Sequence, residues 1–423
     1  MLGIFIAHLV FALLMVGMLL CVIAYLILLE RKTAAWMQDR LGPNRVGPKG
    51  LLQPLADGVK FILKEEFVPA NADRILFLLA PIVIITPALC GFAVIPWGGV
   101  LGAGAHLPGW LGGWTFPKNF SVMVANPRIG VLFVIAMASL SVYGVVLAGW
   151  ASGSKYSFLG GLRATAQMIS YEIPLVLSLL SVAVVAGTLR LGAITDSQAS
   201  YFSTVFFLPA WNIFIQPTAF LLFVTCIFAE ANRAPFDLVE CEQELVGGYH
   251  TEYSSMKFAL FFLAEYAAMI TGAAVAVALF LGGWHLPWID QLIYPGAPGQ
   301  PLVTGWGGVI LKFVVFWAKV ILFIFFYMWV RWTLPRFRFD QLMNLAWRTL
   351  IPLSLGTFLL AALFVYLRRE GAIEHRGWLL LGNVALLAGT VAMNQLWPGE
   401  PTNRRLPVFN SRYQSAAGVL RPN

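Results

Sequence analysis

The chain has 423 residues, 59% of them hydrophobic and only 11% charged, and its mean hydropathy is +0.78. A water-soluble globular domain, with about a quarter of its residues charged, is excluded by that balance. What remains is an all-α integral membrane protein.

Runs apolar enough to cross ~30 Å of hydrocarbon, which takes roughly 20 residues each, fall near 4–29, 75–96, 128–150, 170–192, 212–230, 257–283, 308–331, 349–367 and 377–397. The fold expected is a bundle of about nine transmembrane helices with an amphipathic interfacial helix. The first run has no basic stretch before it and is too long for a signal peptide's apolar core, so it reads as a retained span. With the amino terminus outside, about 20 Lys and Arg fall on inner segments and about 6 on outer ones, which sets the orientation and explains much of the +8 net charge. Arg368, Arg369 and Arg376 depart from that bias in the last outer loop.

The first inner segment, 30–74, follows Glu30-Arg31-Lys32 and contains "LGPNRVGP", where Gly permits left-handed backbone and Pro fixes φ, giving a shaped turn. After it, Leu51, Leu52, Leu55, Val59, Ile62 and Leu63 recur at helical spacing, with Gln53, Asp57, Lys60 and Lys64 between them. This amphipathic helix is too charged to span. It suits the membrane interface, either as a lipid-facing ledge or as a doorway.

Further along, "QMISYEIPLVLS" places Glu172 ahead of Pro174, where the proline frees backbone groups for water. The second rich inner segment, 231–256, sits in "EANRAPFDLVECEQELVGGYHTEYSSMK", which holds Glu230, Asp237, Glu240, Glu242, Glu244 and Glu252. A run of like charge is commonly a solvated loop. Here apolar Phe236, Leu238, Val239, Leu245 and Val246 interleave with the acids, and Arg233 is the one cation before Lys257. Carboxylates crowded into apolar surroundings share protons and titrate as a coupled set.

Charge inside a span costs on the order of 3 kcal/mol or more and needs a reason. Glu265 lies ~12 Å into the sixth run at helical rise, among Ala264, Ala267, Ala268 and Gly272, which let another helix close over it. Lys319 falls at the centre of the seventh run and is expected to face a polar interior, whereas Lys312, two turns earlier, has the reach to snorkel outward.

Cys21, Cys90, Cys226 and Cys241 lack paired metal-ligand spacing. Of the histidines only His8 lies in a span, which argues against haem. Neither a G-x-G-x-x-G nor a Walker loop occurs, which argues against a bound nucleotide, and the chain is expected to carry no cofactor. Its expected partners include the lipid bilayer but no nucleic acid. No internal repeat is visible, which counts against a stand-alone proton-coupled transporter.

"GLLQPLADGVKFILKE" (50–65), "AEANRAPFDLVECEQELVGGYHTEY" (229–253) and "PRFRFDQLM" (335–343) resemble the quinone-site membrane subunit of respiratory complex I, the proton-pumping NADH:quinone oxidoreductase, known in bacteria as its H subunit. The resemblance covers about 1–365, within a membrane domain of 1–367. It implies a multi-pass bundle in the cell inner membrane, at the base of the membrane arm, with the redox arm above its inner face and small membrane subunits beside it. Flavin mononucleotide and iron–sulfur clusters would belong to partner subunits, and quinone would be the substrate. By motif, Glu30, Arg31, Gln38, Asp57 and Arg233 would border the quinone chamber. Glu172, Glu230, Glu240, Glu242, Glu244, Glu252, Glu265 and Lys319 would form the charged chain leading from it toward the pump subunits. Arg163, Arg331 and Arg336 look like charge partners or contacts to a neighbouring subunit. The same scaffold in a membrane hydrogenase or a ferredoxin-driven relative is the alternative. Residues 368–423, an extra span and a basic tail with Arg404, Arg405, Arg412 and Arg421, extend past the shared core, as do two outer-loop stretches near 98–120 and 294–308.

Overall fold

The computed structural model describes residues 2–101, 120–199, 209–237, 246–286, 303–304, 306–371 and 377–396. Seven of its helices are long and apolar enough to cross a membrane, and the shorter apolar helices Pro217–Glu230 and Gly377–Met393 correspond to the two remaining runs. In chain order the helices are α1 (Leu2–Met37), α2 (Gln53–Leu63), α3 (Arg74–Gly91), α4 (Gly130–Ala151), α5 (Lys155–Ala186), α6 (Leu191–Ser197), α7 (Asn212–Ile215) and α8 (Pro217–Glu230). Then follow α9 (Ser255–Phe280), α10 (Trp306–Thr333), α11 (Phe339–Asn344), α12 (Ile351–Arg369) and α13 (Gly377–Leu396).

α5 is central, packing on α4, α8 and α12, while α9 closes against α3, α8 and α10. Small residues let α9 sink into the bundle: every residue from Ala273 to Phe280 is at most 2% exposed. α3 starts where the Asp73 side chain accepts from the amides of Ile75 (3.1 Å) and Leu76 (3.3 Å), and α5 stops at Gly187, whose φ of 69° suits a residue without Cβ. The amphipathic α2 buries no residue fully, with Leu55, Val59, Ile62 and Leu63 all exposed along it.

Three boundaries differ from the hydropathy reading, each because polar residues are helical. α1 continues beyond 29 to Met37, since Glu30 is buried among partners and does not end the helix. α5 begins at Lys155, well before 170, because Ser157 and Gln167 find hydrogen-bond acceptors at the end of α8 and in the segment that follows it. The eighth crossing begins at Phe339 and passes through a π-helical turn, Leu345–Leu350, before α12.

Three two-residue strands tie together the two stretches that extend past the shared core within the loops. β1 (Val100–Leu101) pairs antiparallel with β2 (Phe120–Ser121) and parallel with β3 (Val303–Thr304). Below them Trp97 stacks on Trp317 (5.0 Å) and Phe92 (5.4 Å). Lys312 does not snorkel outward but is 2% exposed, while Lys319 is half-buried. The extra helix α13 belongs to the bundle, with buried Asn383 against Thr218 of α8 and Leu379 in a small core with Phe364 and Ile215.

Close packing of α3 on α4 rests on Gly144, where a Cβ would lie 2.7 Å from Ile84 Cβ and 2.8 Å from its backbone nitrogen. Gly144→Ala is therefore expected to destabilise the bundle by about 1–3 kcal/mol. Gly17→Ala, with nothing within 4 Å of the new carbon, leaves the melting temperature in detergent unchanged.

Candidate functional site

The carboxyl end of α8 is built by the sequence Phe228-Ala-Glu-Ala-Asn-Arg233. Asn232 takes φ of 48°, the Arg233 amide reaches back to Phe228 O (3.4 Å), and the Asn232 amide reaches Ala229 O (3.4 Å). Asparagine tolerates the left-handed conformation better than most residues, so this is a Schellman ending that turns the chain sharply inward. Its product is the placement of Arg233, 8% exposed, against α1 and α9.

Arg233 Nε meets Glu265 of α9 at 2.8 Å, and its Nη1 meets Glu30 of α1 at 3.3 Å. Glu30 is also met by Arg331 of α10 and accepts a 2.5 Å hydrogen bond from the Tyr266 hydroxyl. The Tyr266 ring lies 4.3 Å beneath the Arg233 guanidinium. Four elements thus converge on two carboxylates and two guanidiniums. Each ion is neutralised by its neighbours, which is what allows so much charge to be buried.

Next to Glu30, Arg31 points outward and pairs with Asp57 of α2 at 2.8 Å, where Gln53 (3.2 Å) and Lys60 (4.0 Å) also reach that carboxylate. The other end of α2 is latched to the start of α9. Ser255 Oγ donates to Phe61 O (2.9 Å), Ser254 Oγ donates to Glu65 O (3.2 Å), and Lys257 pairs with Glu66 at 2.7 Å. The amphipathic helix is therefore held between α1 and α9, one end on each.

A cavity of about 100 Å³ opens among α3, α4, α5, α8 and α9. Its wall is mostly aliphatic, and its charged members are Glu230 and Glu265, with Ser141, Asn232, Tyr249 and Thr271 as polar company. On one scale of cavity volumes about 150 Å³ admits benzene, so this space suits a few waters. Glu172 of α5 contacts Ser139 of α4 and is close enough to Glu230 for the two charges to act on each other.

Of the residues singled out from sequence, the structure brings together Glu30, Arg31, Asp57, Arg233 and Glu265, and sets Glu230 and Glu172 beside them. Gln38 stands apart on the exposed turn after α1, bonded to Arg40 at 2.7 Å. Glu252 is half-buried beside Tyr253. Glu240, Glu242 and Glu244 lie outside the described residues. Lys319 lies far from the acids, where its Nζ donates to Leu281 O (2.7 Å) and His285 O (2.6 Å) just past α9 and sits 4.4 Å over Trp211. Arg336 pairs with Asp237 at 2.9 Å; burial raises that carboxyl's pKa, while Arg336 and Arg233 oppose the rise. Tyr266 and Gln167 are not picked out by sequence reasoning. A polar side chain on each, next to Glu265 or facing the end of α8, is the available signal.

The family described as NADH dehydrogenase matches residues 9–362. The chain belongs to that family. The H subunit of the NADH-quinone oxidoreductase of Leptospira biflexa is 48% identical over 351 residues, covering 82% of this chain and 92% of that protein. The corresponding H subunit of Cytophaga hutchinsonii, numbered 1 in that organism, is 48% identical over 326 residues, 77% and 87% of the two chains. That of Flavobacterium johnsoniae is 46% identical over 326 residues, 77% and 85%. This NADH dehydrogenase family member is thus a multi-pass membrane subunit of the NADH-quinone oxidoreductase kind. The family match includes every site residue described above and stops before α13.

Replacing Arg233 by Ala leaves Glu265 without its guanidinium, and Glu30 with less. A loss of about 3–5 kcal/mol is expected, as for other broken buried pairs. Adding Glu265→Gln returns part of it, a coupling that melting curves of the four variants in a double-mutant cycle would measure.

His250 makes a second, acid-sensitive point. Burial among Tyr249, Phe258 and Phe262 lowers its pKa from 6.5 to about 4. The unfolded chain binds the proton more readily, so stability is full above about 6.5 and is lost as pH falls toward 4. His250→Phe should flatten the pH dependence of the melting temperature in that window.

Proposed function

We propose that the chain forms one wall of the quinone chamber of the enzyme and couples quinone reduction to proton movement through its buried carboxylates. Electrons arrive from flavin mononucleotide and iron–sulfur clusters held by partner subunits, and this chain shapes the place where they meet the quinone. The observation that carries the reading is the line of contacts from Asp57 on α2, through Arg31 and Glu30, to Arg233 and Glu265, ending at the cavity that Glu230 shares. α2, lying at the interface, provides the doorway for a lipid-soluble substrate. The paired ions inside respond to charge appearing there.

Quinone takes up protons along with its electrons, so its reduction changes the charge next to Arg233. A guanidinium shared between Glu30 and Glu265 redistributes toward whichever carboxylate carries more charge. That shift alters the field at Glu230 and Glu172, and with it the protonation the cavity favours. Glu240, Glu242, Glu244 and Glu252 extend the acid set along the inner loop. Gln38 borders the chamber mouth, and Lys319 is a charged terminus near the outer side.

The protein lies in a bacterial inner membrane with its amino terminus outside, supported by the bias of Lys and Arg toward the inner segments. The redox arm sits on the inner face and small membrane subunits sit alongside. Residues 1–367 carry this function; 368–423 add a helix and a basic tail suited to anionic lipid.

Glu230→Gln and Glu265→Gln in the assembled complex test it. Quinone reduction and proton uptake into vesicles are both expected to fall by about tenfold or more, with electron input to an artificial acceptor unchanged. Normal pumping at the normal rate in both variants would remove these residues from the mechanism.

A further inference from the structure

Gln167, on α5, is fully buried and belongs to no ion pair, yet it touches the two segments that carry the site. Its Nε2 donates to Ala229 O at the end of α8 (2.9 Å), to Phe236 O in the following loop (3.0 Å) and, at 3.4 Å, to Asn232 Oδ1. Three acceptor oxygens around one nitrogen fix which way the amide points. The carbonyl of Ala229 is among the last of its helix, and such carbonyls need a partner when buried. The loop is held from its far side as well: Phe236 packs 5.6 Å from Tyr171 and 5.7 Å from Phe337, and the Phe337 amide donates to Pro235 O (3.1 Å).

Between those anchored points lie Glu230 and Arg233, the cavity's carboxyl and the guanidinium that joins Glu30 to Glu265. We propose that Gln167 is a positioning residue for the coupling reaction, stapling the end of α8 to the loop so that Arg233 stays between its two carboxylates and Glu230 stays at the cavity. The inference rests on the coupling role assigned above and adds to it a residue outside the charged set. An apolar side chain of similar size would take this donor from Phe236 O, leave Ala229 O only the long bond from the Asn232 amide, and loosen the turn. Arg233 would then keep one carboxylate at a time.

The charged and titratable groups around the amide are Glu230, Arg233 and Asp237 on the cap and loop, with Arg163 and Tyr171 one turn to either side on α5. A carboxylate placed at 167 would confront acceptors and repel them; once protonated, it regains one donor. This gives the position a pH signature that loss of folded protein does not produce.

The test uses the assembled complex in vesicles, with Gln167→Leu, Gln167→Glu and Glu230→Gln compared. The readouts are electron input to an artificial acceptor, quinone reduction, and protons moved per quinone reduced, a ratio that loss of intact enzyme does not change. Gln167→Leu should keep electron input, reduce quinone about tenfold more slowly, as expected for small misplacement of reacting groups, and move fewer protons per turnover. Gln167→Glu should recover on the acid side of its pH profile. Wild-type ratios and profiles in both Gln167 variants, with Glu230→Gln impaired, would overturn the positioning role and leave the coupling role standing. Unchanged ratios in all three would remove both.

Discussion

Arg233 lies 2.8 Å from Glu265 and 3.3 Å from Glu30, with Arg331 and the Tyr266 hydroxyl on the far side of Glu30. Any one of these ions, alone at that depth, would cost several kcal/mol. Together they neutralise one another and, in doing so, fix the relative positions of α1, α9, α10 and the loop after α8. Such a cluster is sensitive to its surroundings, because altering the charge on one member changes the partner available to the rest.

Two consequences follow for the inner half of the bundle. α2 is held by Arg31–Asp57 on one side and by Lys257–Glu66 and the Ser254 and Ser255 hydroxyls on the other, so it links α1 to α9. The cavity at Glu230 and Glu265 lies on the other side of the same ions. Toward the outer face the character changes. Glu265 and Leu281 are sixteen residues apart, ~24 Å at helical rise, and the stretch Ala273–Phe280 between them is packed almost without exposure. Lys319 is stabilised at that far end by main-chain carbonyls beyond α9, in keeping with the preference of cations for helix carboxyl ends.

Much of the fold could be read from hydropathy, because a bilayer demands long apolar helices and little else satisfies it. The apolar crossings and the separate amphipathic α2 follow from that. Helix ends were less legible: Glu30, Ser157 and Gln167 look like loop residues until their partners, distant in sequence, are known. At the site, Glu265 stood out because charge in apolar sequence is rare, Arg233 as the lone cation among acids, and Glu30 through the family motif. Tyr266 and Gln167 did not, since a neutral polar residue in a helix has many ordinary uses. Lys319 shows the limit of depth as evidence. Its place in the middle of an apolar run marked it as a charge in need of partners, but depth along a helix says nothing of which groups those are.

If the coupling proposed above operates, the Glu230 carboxyl facing the cavity changes its protonation when quinone is reduced, while Arg233 stays between Glu265 and Glu30. Infrared difference spectra of the complex, oxidised minus reduced quinone, address it directly. A protonated-carboxyl band that changes on reduction, disappears in Glu230→Gln and persists in Gln38→Ala is the expected result. Spectra without such a band, or with one indifferent to Glu230, would contradict it.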